Sequence, residues 1–94
     1  MNISELRANT GDINIEGEIV MKESTRAFEK FGKSGKVSSA ILKDESGEVK
    51  LSLWNDDAEK INQGDKVKVT NGWCKEWQGQ LQVSTGRNGK IEKI

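Results

Sequence analysis

The sequence predicts an all-β domain of five strands with one short helix between the third and fourth strands. Short runs of alternating apolar and polar residues, separated by turns rich in Gly, Asn and Asp, predict it, and no proline interrupts these runs. Its 94 residues suffice for one domain, expected to span residues 1–94. With 33% hydrophobic and 32% charged residues, a thin barrel or sandwich fits better than a large layered enzyme.

The first strand is predicted from Ile13 to Met21, where apolar residues alternate with polar ones. Gly17 in its middle is typical of a strand that bends sharply or lets another backbone approach closely. One helical turn over residues 4–7, with Ser4 as its N-cap, is expected before this strand. Residues 22–35 have no sustained period, and we expect a long loop or an extended hairpin tip there.

The middle of the chain predicts a hairpin followed by a helix. Lys36 to Lys43 is the second strand, Glu48 to Trp54 the third, and a tight turn at residues 44–47 joins them. Asn55-Asp56-Asp57 can cap a short helix that ends near residue 61 before Gly64. The remaining elements are expected to be strands at residues 66–73 and 80–84, a turn at residues 77–79, a loop at residues 86–89 and a last stretch that pairs briefly.

The composition excludes several classes of function. A single cysteine, Cys74, rules out an internal disulfide and a cysteine-based zinc site, and we expect it to be a small core residue. The absence of histidine removes Ser-His-Asp and Cys-His catalytic arrangements. Asp56-Asp57 could hold a metal or act as acid and base, but the pair also lies where a helix favours N-terminal acids. We therefore expect no enzyme, no metal and no cofactor.

The distribution of charge says more than its sum. The 15 basic and 15 acidic residues cancel, which argues against binding duplex DNA by charge alone. Net charge nevertheless alternates along the chain, at −3 for residues 1–21, +3 for 22–36, −4 for 37–65 and +4 for 66–94. A basic face forms if the fold brings the two basic segments together.

A tryptophan ends the third predicted strand on its polar side. Strict alternation places aliphatic residues on one face of this strand and Lys50, Ser52 and Trp54 on the other. An indole that shares a face with lysine and serine is predicted to be exposed. The alternative is that Trp54 only caps the end of the barrel.

Two further tryptophans depend on an irregularity in the fourth strand. If the chain stays extended, Trp73, Lys75 and Trp77 share one face, but simple alternation from Val67 and Val69 would make that face the core. A bulge at Asn71-Gly72 adds one residue and moves every later side chain to the other face. With the bulge the tryptophans are exposed, and without it they are structural.

If the bulge forms, one concave surface combines three kinds of side chain that suit single-stranded nucleic acid. Indoles offer flat faces to unpaired bases, worth about 1–3 kcal/mol per base, lysines reach phosphates, and glutamine and serine hydrogen-bond base edges. The residues expected to bind are Trp54, Trp73, Trp77, Lys75, Lys50, Ser52, Gln80 and Gln82, flanked by Arg26 and Lys36. Phe28 and Phe31 either reach towards bases or, as we favour, pin the loop to the barrel.

Several of these segments together resemble a known family. They are Asp44-Glu45-Ser46-Gly47, Val49 to Trp54, Ile61 through Gly64-Asp65-Lys66-Val67, Asn71-Gly72-Trp73, Trp77-Gln78-Gly79-Gln80-Leu81 and Thr85-Gly86. Over residues 3–91 the chain resembles the OB-fold single-stranded-DNA-binding proteins of the archaeal and eukaryotic replication protein A-like group. Any one of these segments alone would be a weak signal.

The resemblance implies a five-stranded OB-fold Greek-key barrel whose aromatic residues stack on bases at positions matching Trp54, Trp73 and Trp77. It implies binding of single-stranded DNA with little sequence preference, in replication, recombination or repair, with other replication or repair proteins as further partners. The expected location is the cytoplasm, at the nucleoid, in an archaeon, or the nucleus in a eukaryote. No membrane association is expected, since no apolar run is long enough to span a bilayer.

Three questions stay open at this point. The chain ends at Ile94 without the Gly/Arg-rich or acidic tail that one-domain members often carry, so it could act within a larger assembly. A protein-interaction OB domain and a binder of single-stranded RNA are the alternative functions. Stacking does not distinguish ribose from deoxyribose, so the sequence leaves DNA and RNA unseparated.

Overall fold

The structure is a computed structural model that describes residues 2–94, except for the side chains of Lys30, Trp77 and residues 86–88. Strands make up most of it, as the alternating pattern predicts. In chain order its elements are a 3-10 turn (Ile3–Glu5), β1 (Thr10–Lys22), β2 (Arg26–Lys30), β3 (Lys33–Asp44), β4 (Gly47–Trp54), helix α1 (Asp56–Lys60), β5 (Lys66–Trp77) and β6 (Gln80–Lys93).

Five of these strands close into a barrel. β1 pairs antiparallel with both β3 and β5, β3 pairs with β4, and β5 pairs with β6. The ring is completed by a parallel pairing between β4 and β6. The helix α1 connects β4 to β5. The predicted five-stranded OB-fold Greek-key barrel, with a short helix between its third and fourth strands, is confirmed.

The segment without a sequence period forms the extended hairpin tip rather than a loop. β2 pairs antiparallel with β3, with Phe28 opposite Gly35 and Lys30 opposite Lys33. Phe31 and Gly32 make the tip, both with positive φ, at 54° and 76°. Because β2 attaches to β3 outside the five-stranded ring, the hairpin extends the sheet beyond the barrel.

The barrel interior is filled by the inward-facing residues of the alternating strands. Leu42, Leu51 and Leu53 are fully buried from β3 and β4, as the alternation in the third predicted strand requires. Cys74 is buried too, as predicted. The other fully buried large side chains are Ile13, Ile15, Ile19, Ile61, Val67, Val69 and Val83.

Gly17 lies where β1 passes from pairing with β5 to pairing with β3. A methyl group at this position would lie 2.5 Å from the carbonyl oxygen of Lys43 in β3. The close backbone approach that a mid-strand glycine predicts is therefore confirmed.

The predicted bounds of several strands were too short. The fourth strand extends to Trp77, and the fifth continues to Lys93 through the predicted loop at residues 86–89. The pairing between β5 and β6 shifts register between Thr70 and Gly72 and then resumes as far as the pair Val67–Lys93. The brief pairing expected of the last residues is thus a continuation of β6.

One capping prediction was wrong, and a second holds for the residue but not for its side chain. The first turn is Ile3–Glu5 with Asn2 as N-cap, because the Glu5 carboxylate accepts a hydrogen bond from the Asn2 backbone N–H at 2.9 Å. Asn55 is the N-cap residue of α1, as predicted, but its side chain makes no capping hydrogen bond. Its Oδ1 instead accepts a hydrogen bond from the backbone N–H of Lys36 at 3.1 Å, which ties the start of the helix to β3.

The β3–β4 turn is closed by Asp44. Its Oδ1 accepts hydrogen bonds from Ser46 Oγ and Ser46 N, both at 2.6 Å, and from Gly47 N at 3.1 Å. Its Oδ2 accepts one from Ile3 N at 2.9 Å. Burial by itself raises the pKa of Asp44, but these hydrogen bonds outweigh it, and the pKa is lowered from 3.8.

We expect Asp44→Asn to lower the free energy of unfolding by about 1 kcal/mol at neutral pH, since hydrogen bonds to the carboxylate weaken. A lowered pKa contributes stability above the unfolded-state value near 3.8, and this contribution is lost as pH falls through the folded-state value. The difference between wild type and variant should therefore shrink below about pH 4. Urea unfolding at pH 7 and at pH 3 measures it; a difference that is equal at both pH values would contradict the role of the charge.

Candidate nucleic-acid interface

The bulge that decides the position of Trp73 is present in β5. Ile15 pairs with Val69 and Ile13 pairs with Gly72, so β5 carries one more residue than β1 over this interval. Asn71 adopts φ of 53° there. Val69 is fully buried before the bulge, whereas Trp73 is 47% exposed after it. The predicted bulge is confirmed, and its alternative, a buried Trp73, is wrong.

After the bulge, one outer surface runs across three adjacent strands. The pairing places Lys50 beside Gln82, Gln82 opposite Lys75 and Ser84 opposite Trp73. Side chains of directly paired residues point to the same side of a sheet. We call this surface the tryptophan face; it comprises Trp54, Ser52 and Lys50 from β4, Ser84, Gln82 and Gln80 from β6, and Trp73 and Lys75 from β5.

Trp54 is the last residue of β4, so it lies at one end of this face, and it is 41% exposed. Its ring contacts Phe28 of β2, with ring centroids 5.9 Å apart and planes at 89°. Trp54 therefore packs on the outer surface rather than only closing the barrel end. Phe28 pins the hairpin to the barrel as expected, but Phe31 is 91% exposed at the hairpin tip.

The polar residues of the face are partly engaged with each other. Ser52 lies on the predicted side but is only 4% exposed, and its hydroxyl accepts a hydrogen bond from Gln82 Nε2. Lys50 is half-buried, whereas Lys75 and Gln80 are exposed. Ser52 thus orients Gln82 and has less surface of its own to offer than the sequence suggested.

The two flanking cations lie on opposite sides of the sheet. Arg26 pairs with Val37, which in turn pairs with Trp54, so Arg26 is on the side of the tryptophan face. Its guanidinium is 4.0 Å from Glu23, and its side chain is 77% exposed. Lys36, one residue before Val37, points to the other side, where its Nζ contacts the Glu59 carboxylate. The structure does not bring Lys36 to the tryptophan face.

For Trp77, only the backbone position is described. β5 continues to Trp77, which pairs with Gln80. Its side chain lies outside the described part of the structure, so its place on the face stays a prediction.

The sequence reading missed three residues of β3 that join the face. They are Val37, Ser39 and Ile41, which pair with Trp54, Ser52 and Lys50 and are half-buried. The sequence contained a signal for these three residues, because the alternation that predicted the second strand places them on its outward side.

The residues considered for chemistry lie elsewhere. Asp56 and Asp57 form the first turn of α1, and burial raises the pKa of Asp57. Burial also raises the pKa of the Cys74 thiol. Among the described side chains, no three His, Cys, Asp or Glu residues gather as a metal site.

A closed five-stranded barrel with an outer face that carries exposed aromatic and polar side chains is typical of OB-fold domains that bind nucleic acid. The chain belongs to the family of OB-fold nucleic acid binding domains, because the model of that family matches residues 13–87. Within it the chain belongs with the replication protein A-like domains, as the resemblance predicted. A crystal structure of a domain of replication protein A from Methanococcus maripaludis is 32% identical, covers 100% of this chain and 93% of that one, and has a TM-score of 0.81.

Two curated relatives are similar to this chain and fit the same family. The chain is 32% identical over 89 residues to the single-stranded DNA binding protein Ssb of Saccharolobus solfataricus, covering 95% of this chain and 60% of that protein. It is 32% identical over 90 residues to Replication factor A of Methanothermobacter thermautotrophicus, covering 95% and 11% respectively. The chain thus spans only part of the length of either relative. None of the helices described in residues 2–94 has the length and apolar character needed to cross a membrane.

Proposed function

We propose that this domain binds single-stranded DNA with little sequence preference and without catalysis, by stacking bases on Trp54, Trp73 and Trp77. Lys50 and Lys75 contact phosphates, and Gln80 and Gln82 hydrogen-bond base edges. The relatives named for single-stranded DNA binding and for replication support a role in DNA replication, recombination or repair, beside other proteins of those processes.

One observation carries the proposal: two indoles remain about half exposed on one continuous face of a barrel whose interior is otherwise well filled. Trp54 and Trp73 are 41% and 47% exposed, although indoles are among the side chains that gain most from burial. Ser84 lies opposite Trp73, and Lys75, Gln82 and Lys50 continue that end of the face, whereas Val37 and Phe28 adjoin Trp54. Flat rings with lysine and glutamine nearby suit unpaired bases, which stack on the rings while the polar groups reach phosphates and base edges.

The spacing of the two indoles suits separate bases. Trp73 lies two strands from β4, in the row of Ser84, while Trp54 lies two residues further along β4 than Ser52. With strands about 4.8 Å apart and a rise of about 3.3 Å per residue, the two Cα atoms are about 12 Å apart. Each indole can therefore hold its own base.

We expect tryptophan fluorescence to be strongly quenched by a thymine oligomer of about a dozen nucleotides, within the range of one OB domain. A matched duplex should have little effect, because its bases are already stacked on each other. A uridine oligomer and a deoxyuridine oligomer of the same length differ only in the 2′-hydroxyl group, so comparing them tests preference for the sugar. A folded sample that responds to none of these single strands would contradict the proposal and direct attention to a protein partner.

A further inference from the structure

Two glycines whose backbone conformation does not require glycine lie against aromatic rings, Gly11 against Trp73 and Gly35 against Phe28, which contacts Trp54. The described glycines with positive φ, where glycine is favoured, are Gly32, Gly64 and Gly79. Gly11 and Gly35 are not among them, so an alanine could adopt their backbone conformation. What they lack is room for a side chain.

Gly11 makes room for the indole of Trp73. A methyl group at Gly11 would lie 3.0 Å from Cε3 and 3.1 Å from Cζ3 of that ring. The contact arises at an irregularity in β1, where Gly11 and Asp12 lie between the pairs Thr10–Cys74 and Ile13–Gly72 and so face Trp73 together. The six-membered ring of Trp73 therefore rests on bare backbone.

Gly35 makes room for the ring that contacts Trp54. Phe28 is paired directly with Gly35 across the hairpin. A methyl group at Gly35 would lie 2.7 Å from Phe28 Cζ and 2.9 Å from Asn55 Oδ1. The Phe28 ring in turn meets Trp54 at right angles, with centroids 5.9 Å apart.

We propose that Gly11 is a positioning residue for Trp73, and that Gly35 together with Phe28 positions Trp54. Each arrangement limits the rotation of an indole before nucleic acid arrives. Fixing a side chain in advance removes the ordering that binding would otherwise require, which corresponds to about twofold to tenfold in affinity per side chain. This proposal rests on the proposed function, since it concerns how the same face is prepared.

Gly11→Ala tests the Trp73 arm, and Gly47→Ala is its matched control. At Gly47 an added methyl group would meet only Ile3 Cγ2, at 3.9 Å, and the backbone is not in the positive-φ region. We expect Gly11→Ala to weaken binding of a labelled thymine oligomer about twofold to tenfold in fluorescence anisotropy. Gly47→Ala should bind as wild type.

A double-mutant cycle separates positioning from a general effect on the fold. If Gly11 acts through Trp73, then Gly11→Ala should cause no further loss in a Trp73→Ala background. The same holds for Phe28→Leu in a Trp54→Ala background, and this second arm decides the matter if Gly11→Ala fails to fold. Losses that persist in both alanine backgrounds overturn the proposal.

The cycle also distinguishes this inference from the proposed function. If Trp73→Ala and Trp54→Ala weaken binding while Gly11→Ala and Phe28→Leu bind as wild type, positioning is overturned and stacking stands. If neither tryptophan variant weakens binding, the proposed function itself has failed.

Discussion

Replacing Trp54 and Trp73 together by alanine should lower the affinity for a thymine oligomer by at least about 30-fold, with the fold intact. Each base loses a stacking contact worth about 1–3 kcal/mol, so two lost contacts correspond to about 2–6 kcal/mol, and the lower figure alone is about 30-fold. The single variants should each lose about fivefold or more on the same scale. Anisotropy titration of a labelled oligomer at fixed salt measures all three variants.

The double variant should still fold cooperatively, because neither indole belongs to the buried core, although it loses the ring contact between Phe28 and Trp54. Urea unfolding tests this, and Ile94→Ala is a matched control, as Ile94 is 71% exposed near Lys66, to which its backbone N–H donates, and so away from the tryptophan face. That control should change neither stability nor binding. A double variant that does not fold would make the tryptophans structural, and one that binds as wild type would rule out stacking.

The position of Trp73 shows how far a sequence can predict a site. Alternation alone places Trp73 inside with Val67 and Val69, and only Asn71-Gly72 signals the change of face. Asparagine tolerates the left-handed φ of 53° found at Asn71 better than most residues. A methyl group at Gly72 would lie 3.0 Å from Val69 Cγ1, so the bulge also needs the smallest residue beside the core.

What the sequence could not predict depends on contacts between distant segments. The β2–β3 hairpin has mostly exposed residues up to Lys36, so it lacks the apolar period that would assign a side to each residue. Lys36 therefore joined the predicted site although it points to α1. Likewise, the Asn55 side chain bonds to a backbone group 19 residues earlier, which no local capping rule anticipates.

Gly17→Ala should lower the free energy of unfolding by about 1–3 kcal/mol, the range found when a well-packed site is given an extra methyl group. The added atom would lie 2.5 Å from the carbonyl oxygen and 3.0 Å from the carbonyl carbon of Lys43. These are backbone atoms of β3, which no side-chain rotation can move. Gly17 also pairs with Val67 of β5, and the next residue, Glu18, pairs with Lys43. Shifting β1 to relieve the contact would therefore loosen the closure of the barrel.

The informative result is whether Gly17→Ala lowers or raises the free energy of unfolding. Where the backbone conformation permits alanine, replacing glycine usually stabilises a protein by about 0.4–1 kcal/mol through the unfolded chain. Gly17 is not among the described glycines with positive φ, so that gain is available to it, and it is opposed by the close approach of the Lys43 carbonyl group and, at 3.1 Å, of Leu42 Cδ1. Gly47→Ala, whose added methyl group would make only an ordinary contact with Ile3 Cγ2 at 3.9 Å, should be neutral or stabilising in the same urea titration. If Gly17→Ala were as stable as Gly47→Ala, β1 and β3 would not be in contact at this point, and the closed barrel that holds the tryptophan face would be wrong there.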